Sequence, residues 1–471
     1  MENETLLQAF YWEMCEGEYK EKFPEECDLW KLLNEKAKEL KECGFTSVWI
    51  PPATKGNAGT FDVGYGVYDL WDLGEFEQKG TVRTKYGTKD ELMAAIESLH
   101  NSDIKVYFDA VLNHRFGADE TETVKLKNGS EAEVWTKFNF AGRDGKYSDY
   151  KLNWKSFDGV DWNERSDEIG KYLFEGKDWD WAYGGDFLMG ADLDYNNENV
   201  RKDVFRWGKW VINDLKFDGF RLDAIKHIDN EFVNYFISEV DTSNDRNIFF
   251  GGEAWIEDEK KLIEYLNEID SDKLKVFDYP LRSKFVKMKN GDIDMNEFKS
   301  SGLVNQEGYK DRAVTFIDTH DTDRDNQDKG VESISHYKYQ AYAYILLREE
   351  GIPTVYWKDF YTRKMSEGIK PIINARHRYA YGQGYESDAT DKRTYCYVRE
   401  GEDEDTGLVM LMTLSDKGDV IKKEIDAKNE NTVYYDITGH FKDEIKTNEN
   451  GIGNFKVKAQ EDKGWSIWVK K

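Results

Sequence analysis

Short apolar runs alternate with amphipathic stretches along the first three quarters of the chain. The eight apolar runs are strand candidates and span residues 6–12, 45–52, 104–113, 217–225, 247–255, 275–280, 313–321 and 352–357. Helical spacing of apolar residues marks segments between them, for example 29–43, 89–102, 198–216 and 335–349. Strands alternating with helices are typical of parallel sheets. The pattern predicts an α/β fold, a closed (β/α)8 TIM barrel whose functional site lies at the C-terminal ends of the strands.

One connection is far longer than the others. After His114 no strand–helix unit begins until about Glu198, whereas ordinary loops of this kind have about 2 to 6 residues. The segment is rich in Trp, Tyr, Asp and Gly, a composition that suits both a small irregular core and a cation site. We therefore expect an inserted domain after strand 3, at residues 115–194, between barrel segments 1–114 and 195–378.

The pattern changes again after Arg378. Short β-type runs, at 394–398, 408–414 and 466–469, are separated by Gly, Asp and Asn. Such runs predict an all-β sandwich as the C-terminal domain, at residues 379–471.

Charge narrows the range of partners. The 471 residues suffice for about three domains, and 93 Asp and Glu against 66 Lys and Arg give a net charge of −27. This surface repels nucleic acid and anionic lipid, so neutral molecules and cations are the expected partners. Much of the acidic charge can equally be a solvated surface. No apolar stretch approaches the roughly 20 residues needed to cross a bilayer, and we expect a monomer without membrane contact.

The N-terminal residues and the cysteines bear on the cellular compartment. The chain starts with acidic residues where a secretory signal would be basic. Cys15, Cys27, Cys43 and Cys396 show neither metal-ligand spacing nor a disulfide framework. We expect free thiols and a cytoplasmic enzyme; a secreted protein with a trimmed signal would look the same.

Four of the predicted strands end in polar clusters. They are Asp109 to His114, Arg221 to His227, Gly252 to Trp255, and Asp318 to Asp321. Three of the seven histidines, His114, His227 and His320, fall in these clusters. Any one of these residues could be a cap or a satisfied polar group, but their grouping at strand ends indicates a site.

The residue types in these clusters suit glycoside hydrolysis. Its transition state carries positive charge at the anomeric carbon, so one carboxylate attacks or shields that carbon while a protonated carboxyl donates to the leaving oxygen. Asp223 and Glu253 end consecutive predicted strands, and neighbouring strands lie about 4.8 Å apart. That spacing favours the close carboxyl pair of a retaining mechanism, about 5 to 5.5 Å, over the wider inverting pair.

The neighbours of the two carboxyl groups suggest different roles for them. Arg221 lies two residues before Asp223, on the same face of the strand, and is expected to keep that carboxylate ionised. Glu253, with Trp255 nearby, is the better candidate for a raised pKa and for general acid.

Longer motifs carry a resemblance to a known family. They are FDVGYGVYDL at 61–70, GTVRTKYGTK at 80–89, GFRLDAIKHI at 219–228 and DITG at 436–439. The sequence resembles the α-amylase family of retaining glycoside hydrolases, and most of all its liquefying bacterial members, over nearly its whole length. The resemblance implies endo-acting hydrolysis of internal α-1,4-glucosidic bonds in starch, glycogen or maltodextrins.

The resemblance also implies roles for individual residues. Asp223 matches the family's nucleophile, Glu253 its general acid/base, and Asp321 the residue that binds sugar hydroxyls and stabilises the transition state. The expected substrate-binding residues are Tyr65, His114, Arg221, Lys226, Trp255 and His320. Thr319 stands where the family usually has Asn, which argues against the chloride-dependent subgroup. Tyr65 resembles a sugar-stacking aromatic, although a buried Tyr in a Gly-rich loop is the alternative.

Calcium is the implied cofactor. Asn113, Asp186 and Asp192, with the backbone carbonyl of His227, match the family's calcium site, which clamps the inserted domain to the barrel. Further acidic ligands belong to a multi-metal site found in the liquefying members, and they are matched here by Asp161, Asp180 and Asp194. The alternative is that these three residues are solvated surface carboxylates. Carboxylates, amide oxygens and carbonyls are the ligands that calcium prefers.

Three alternatives remain at this point. The same carboxylates could serve transglycosylation or release of one fixed oligosaccharide length. A catalytically silent carbohydrate-binding or scaffold protein would keep the fold, but the intact trio Asp223, Glu253 and Asp321 weighs against it. A metal-dependent phosphohydrolase, suggested by Asp192 and Asp194, lacks a phosphate-binding glycine loop.

Overall fold

Eight parallel strands form a closed barrel in the computed structural model, which describes residues 3–179, 183, 185, 187, 189–242, 246–323 and 331–471. In chain order, β1 to β8 are Leu6–Gln8, Ser47–Trp49, Lys105–Ala110, Gly219–Leu222, Phe249–Gly252, Leu274–Phe277, Ala313–Thr315 and Ile352–Tyr356. Strand β1 pairs with both β2 and β8, which closes the barrel. All eight predicted strands are confirmed. Most are shorter than predicted because the apolar runs continue into the turns that carry the polar clusters.

Helices connect the barrel strands and cover them from outside. The α-helices of the described residues are Gly17–Lys22, Leu29–Glu42, Lys89–Asn101, Glu198–Asn213, Asn230–Asp241, Glu259–Glu268, Tyr279–Asn290, Lys338–Leu347 and Ser366–Tyr379. Most bury one face; in Lys89–Asn101 the buried face includes Leu92, Ile96 and Leu99, at helical spacing. This helix begins with a capping box. The Thr88 side chain accepts a hydrogen bond from the Glu91 N–H, and the Glu91 side chain accepts one from the Thr88 N–H. Within the described residues, no helix is both long and apolar enough to span a bilayer.

The long connection after β3 contains two small sheets. Four strands form one sheet in the order Glu168–Leu173, Phe157–Asn163, Ala191–Leu193 and His114–Arg115. A hairpin of Glu120–Lys125 and Glu131–Lys137 forms the other. The first sheet begins directly after β3 and ends directly before helix Glu198–Asn213. The insertion is thus largely a β structure, where composition suggested an irregular core.

The C-terminal part consists of two antiparallel sheets. The six-stranded sheet has the order Gly384–Glu386, Thr394–Arg399, Leu408–Thr413, Trp465–Lys470, Val433–Asp436 and Ile445–Lys446, and the two-stranded sheet joins Val420–Asp426 to Ile452–Lys458. Val409 and Trp468 of the larger sheet share a core with Phe455 and Val457 of the smaller one. This common core is that of a sandwich, as predicted. The other face of the larger sheet packs on helix Lys338–Leu347, in which every residue except Tyr339 is buried.

The expectation of free thiols is wrong for two cysteines. Cys15 and Cys27 form a disulfide, with Cα atoms 5.0 Å apart. Helix Gly17–Lys22 and the short 3₁₀ helix Pro24–Asp28 fold back on each other and bring the two cysteines together. Cys43 and Cys396 are free and buried.

Candidate active site

Asp223 and Glu253 each follow a barrel strand by one residue. Leu222 of β4 pairs with Gly252 of β5, so the two carboxyl-bearing residues leave the barrel at the same level. The Asp223 N–H donates to the Ala110 carbonyl at 3.0 Å, and the Glu253 N–H donates to the Leu222 carbonyl at 2.8 Å. The backbone of both residues is therefore still held by the sheet.

A tight turn after Asp223 brings the chain against Glu253. Ala224 adopts a left-handed conformation, with φ of 48°, and the 3₁₀ helix Ile225–His227 follows. The Ala224 N–H donates to Glu253 Oε2 at 3.0 Å. A Cβ on Gly252 would lie 2.3 Å from Ile225 Cδ1, so only glycine allows the turn to pack this closely on β5.

One guanidinium group holds the two carboxylates. Arg221 Nη1 lies 2.5 Å from Asp223 Oδ1, and Nη2 lies 2.8 Å from Glu253 Oε2. Nη1 also donates to Asp109 Oδ1 at 2.9 Å. All four side chains are buried. The structure thus brings Asp223 and Glu253 together, with their carboxyl groups on neighbouring nitrogens of one planar cation.

The pKa of Asp223 shifts in the direction opposite to the one expected from Arg221 alone. Burial raises the pKa of Asp223 well above its usual range, and the attraction of Arg221 does not outweigh burial. The negative charges of Glu253, Asp109 and Asp321 also raise the pKa of Asp223. A sequence shows the neighbouring Arg but not the lost solvent or the other carboxylates around the same cation.

A cavity of about 370 Å³ opens at the C-terminal ends of the strands. Its lining includes the three predicted catalytic residues and five of the six predicted substrate-binding residues, while Arg221 lies behind the two carboxylates. The lining residues are Trp12, Tyr65, His114, Met189, Asp223, Ala224, Lys226, His227, Glu253, Trp255, His320 and Asp321. The clusters that follow separate strands therefore form one site.

Three parallel rings form one wall of this cavity. The rings of Tyr65 and His320 stack at 5.0 Å with 8° between their planes, and the Trp12 ring lies parallel to both, 5.9 and 6.1 Å away. Gln8 Nε2 lies 3.0 Å from His320 Nδ1. His320 Nε2 is 3.0 Å from Asp321 Oδ2. Flat apolar ring faces beside a carboxylate suit a sugar ring with its hydroxyl groups.

His114 and Lys226 contribute polar groups to the cavity. His114 Nε2 lies 2.9 Å from the Tyr65 carbonyl, and burial lowers the pKa of His114 to about 4. The Lys226 ammonium donates to the Trp255 carbonyl at 2.8 Å, and burial lowers its pKa. At neutral pH His114 is therefore an uncharged hydrogen-bonding group.

Sequence reasoning missed the roles of Trp12, Met189, Asp109 and Tyr279. Trp12 and Met189 line the cavity. Asp109 accepts hydrogen bonds from Trp49 Nε1 at 2.9 Å and from the Tyr65 hydroxyl at 2.8 Å. Tyr279 donates its hydroxyl to Glu253 Oε1 at 3.1 Å. Trp12 and Tyr279 lie at the ends of predicted strands, and Asp109 begins a polar cluster within another; these are the signals that could have identified them.

The structure describes some of the predicted calcium ligands but not all of them. The Asn113 amide nitrogen lies 3.3 Å from Asp192 Oδ1, and Asn113 Oδ1 is buried without a hydrogen-bond partner. His227 lines the cavity, with its Nδ1 2.8 Å from the Gly185 carbonyl. Asp180 and Asp186 lie outside the described residues. Within the described residues, no group of three or more His, Cys, Asp or Glu side chains is arranged so that it could hold a metal ion.

The described ligands of the second predicted metal site already have partners. Asp161 Oδ2 accepts from the Gly190 N–H at 2.7 Å. Asp194 contacts the Lys177 ammonium through Oδ2 and accepts from the Asn196 N–H through Oδ1, at 2.8 Å. Asp194 therefore faces the Lys177 ammonium, and Asp161 a backbone N–H group.

Comparison with known proteins agrees with this geometry. Residues 28–361 match the family model for the α-amylase catalytic domain. The α-amylase of Bacillus licheniformis is 40% identical, over 97% of this chain and 92% of that protein. The cytoplasmic α-amylase of Escherichia coli K12 is 34% identical over 100% and 99%. The glucan 1,4-α-maltohexaosidase of Bacillus sp. strain 707 is 37% identical over 100% and 93%.

Solved structures share the fold. The crystal structure of the Geobacillus thermoleovorans α-amylase complexed with acarbose superposes with a TM-score of 0.64 at 18% identity, over 100% of this chain and 98% of that chain. At this identity the likeness concerns the fold. From the family match and the full-length relatives, the chain belongs to the α-amylase family of glycoside hydrolases, the endo-acting enzymes that cleave α-1,4 bonds of glucans.

Proposed function

We propose that the protein hydrolyses internal α-1,4-glucosidic bonds of starch, glycogen or maltodextrins with retention of configuration, using Asp223 as nucleophile and Glu253 as general acid/base. The observation that carries this proposal is the placement of both carboxylates on one Arg221 guanidinium, one residue beyond paired positions of β4 and β5. A close carboxyl pair leaves no room for a water between carboxylate and sugar, as the inverting mechanism would require.

In the first step, Glu253 donates its proton to the glycosidic oxygen while Asp223 attacks the anomeric carbon. The bond from that carbon to the leaving oxygen breaks, and a glycosyl ester with Asp223 forms. Because burial raises the pKa of Asp223, its ionised form is costly in the empty cleft. Positive charge developing on the sugar stabilises that carboxylate, so the interaction strengthens in the transition state.

In the second step, Glu253 accepts a proton from water and the water oxygen attacks the anomeric carbon of the ester. The bond to Asp223 breaks, and the sugar is released with its original α configuration. Asp321, beside His320 Nε2 at 3.0 Å, is proposed to hold sugar hydroxyls during both steps.

The cavity wall orients the sugar. Trp12 and Tyr65 present ring faces beside His320, and aromatic faces pack well against the apolar face of a pyranose. His114 is neutral at working pH because burial lowers its pKa to about 4, so it adds no charge beside the sugar. Lys226 and Trp255 line the cavity together with Glu253.

For the metal, we propose one calcium ion held by Asn113, Asp186, Asp192 and the His227 carbonyl. The buried, unpartnered Asn113 Oδ1 beside Asp192 supports this ligand set, because oxygen acceptors without donors suit a hard cation. Asp192 pairs with His114 in the sheet of the insertion. When bound, the ion would join the insertion to the barrel beside the catalytic cleft.

We further propose a cytoplasmic location. Support comes from the relative named as the cytoplasmic α-amylase of Escherichia coli, 34% identical over the whole chain. The Cys15–Cys27 disulfide is the opposing observation, because disulfides persist mainly in oxidising compartments. Cell fractionation, with thiol labelling of the protein under denaturing conditions, tests the proposal; recovery from outside the cytoplasm would overturn it.

The test of the mechanism uses two isosteric variants. Asp223→Asn and Glu253→Gln should each reduce starch hydrolysis about 10³-fold, within the range for lost nucleophile or acid/base function, with little change in melting temperature. Asp214→Asn removes an exposed carboxylate from the same strand–helix unit and should leave turnover unchanged. Proton NMR of the wild-type reaction should show the α-anomer first; a first-formed β-anomer, or near-normal turnover of either variant, contradicts the proposal.

A fixed product length is the second candidate, because one relative is named as a maltohexaosidase. Chromatography of early products from starch distinguishes the two. A broad ladder of oligosaccharides supports random endo cleavage, and one dominant length supports the second candidate.

A further inference from the structure

The two oxygens of the Glu253 carboxyl group have different partners. Oε2 accepts from Arg221 Nη2 at 2.8 Å and from the Ala224 N–H at 3.0 Å. Oε1 accepts from the Tyr279 hydroxyl at 3.1 Å. Arg and backbone N–H groups can only donate, whereas a hydroxyl group both donates and accepts.

This difference determines which oxygen can carry the catalytic proton. A proton on Oε2 would point at two fixed N–H donors that cannot accept it. Oε1 keeps a free lone pair direction, so the proton transferred to the glycosidic oxygen resides on Oε1. As that proton leaves, Oε1 gains negative charge next to the Tyr279 hydroxyl, and the hydrogen bond strengthens because its acceptor becomes ionised.

Tyr279 is held rigidly in this position. It is the first residue of helix Tyr279–Asn290, whose N-cap Asp278 accepts from the Leu281 N–H. Its ring stacks on Trp255 at 4.9 Å and meets Phe316 edge-on at 5.0 Å. Only 3% of the residue is exposed, so it offers no surface to a sugar. Burial, followed by the charge of Glu253, raises the pKa of Tyr279, so the hydroxyl keeps its proton.

We infer that Tyr279 is a positioning residue that makes Glu253 an effective proton donor, by holding Oε1 and stabilising the carboxylate that forms when the proton leaves. The inference rests on the proposed role of Glu253. Preorganised donors of this kind act without reorganisation during the reaction. Tyr279 acts in the first step, where the leaving group needs a proton, and not in the attack by Asp223.

Leaving-group dependence tests the inference. Tyr279→Phe should lower kcat on starch about 10-fold, the effect of one lost hydrogen bond to a charged group, with KM nearly unchanged. With 4-nitrophenyl maltooligosaccharides, whose phenolate leaves without protonation, release of nitrophenolate in the first turnover, before Glu253 acts as base on water, should change less than 2-fold. A residue that only supports the fold would slow both substrates equally.

Two further variants separate the possible failures. Tyr344→Phe removes another buried hydroxyl, one that donates to the Phe298 carbonyl. It should leave the rates on starch and on the nitrophenyl substrate unchanged. Glu253→Gln should be far slower on starch than on the nitrophenyl substrate. The inference about Tyr279 is wrong if Glu253→Gln shows this difference between the substrates while Tyr279→Phe slows both substrates equally or slows neither. If Glu253→Gln keeps its activity on starch, the proposed function itself fails.

Discussion

Arg221 Nη1 lies 2.9 Å from Asp109 Oδ1, which fixes the cation that the Asp223 and Glu253 carboxyl groups share. The other oxygen of Asp109 accepts from the Trp49 indole and from the Tyr65 hydroxyl. A residue on β3 therefore sets the position of a guanidinium on β4 and of a ring in the cavity wall. The buried charges of this group depend on one another, since removing one partner leaves the others without compensation.

Asp109→Asn should impair catalysis more than it impairs folding. The amide offers a single acceptor oxygen, so Arg221 or the Tyr65 and Trp49 donors lose their partner, at a cost of about 2 kcal/mol. We expect kcat/KM on starch to fall at least about 10-fold, measured beside the melting temperature. Asp119→Asn is the matched control, because Asp119 also accepts from a Tyr hydroxyl, that of Tyr68, at 2.8 Å but lies outside the cavity. Equal effects of the two variants on kcat/KM would argue against a positioning role for Asp109.

The barrel strands could be predicted because parallel strands are buried on both faces and appear as continuous apolar runs. The residues of the candidate site could be located because polar side chains interrupt those runs at one end, and the structure places them around one cavity. The contact of Tyr279 with Glu253 could not, because it depends on two neighbouring strands meeting at one level. The disulfide was missed for a similar reason: two cysteines twelve residues apart are close only if the chain between them folds back.

Protonation of Asp223 shows a further limit of sequence reasoning. Arg221, two residues away in sequence, suggested a stabilised carboxylate. Burial and three nearby carboxylates raise its pKa instead, and none of these effects has a local sequence signal.

Glu75 should make stability depend on pH in the acidic range. Burial raises its pKa, but hydrogen bonds from Lys146, Lys89 and Tyr147 outweigh burial and lower it to about 2. The unfolded chain binds a proton near pH 4.5, so the stabilisation is complete above that pH and is lost as pH falls towards 2. Glu75→Gln should be less stable than wild type in urea at pH 7, and the difference should shrink below pH 4.

The control for this prediction is Glu77→Gln, an exposed carboxylate two residues away. It should match wild type at every pH. A stability difference for Glu75→Gln that is constant from pH 7 to pH 3 would show that its ion pairs with Lys89 and Lys146 contribute nothing.

The Cys15–Cys27 disulfide should stabilise the N-terminal segment that carries Trp12. A cross-link closing a loop of this size contributes about 3 kcal/mol by restricting the unfolded chain. We expect dithiothreitol to lower the urea midpoint of unfolding of the wild-type protein. Without reductant, the double variant Cys15→Ala/Cys27→Ala should already have this lower midpoint. The double variant should not respond to dithiothreitol, since Cys43 and Cys396 are free thiols. A wild-type midpoint that is the same with and without reductant would contradict the stabilisation.

Calcium should stabilise the protein through Asp192 and not through Asp194. A ligand that binds only the folded state raises stability in proportion to the logarithm of its concentration, so millimolar calcium should raise the melting temperature and EGTA should lower it. Asp192→Asn removes a charge beside the unpartnered Asn113 oxygen and should weaken the calcium-dependent shift. Asp194→Asn should leave that shift intact, because Asp194 already contacts the Lys177 ammonium. Loss of the shift in Asp194→Asn, with Asp192→Asn unaffected, would place the ion at the second set of acidic residues instead.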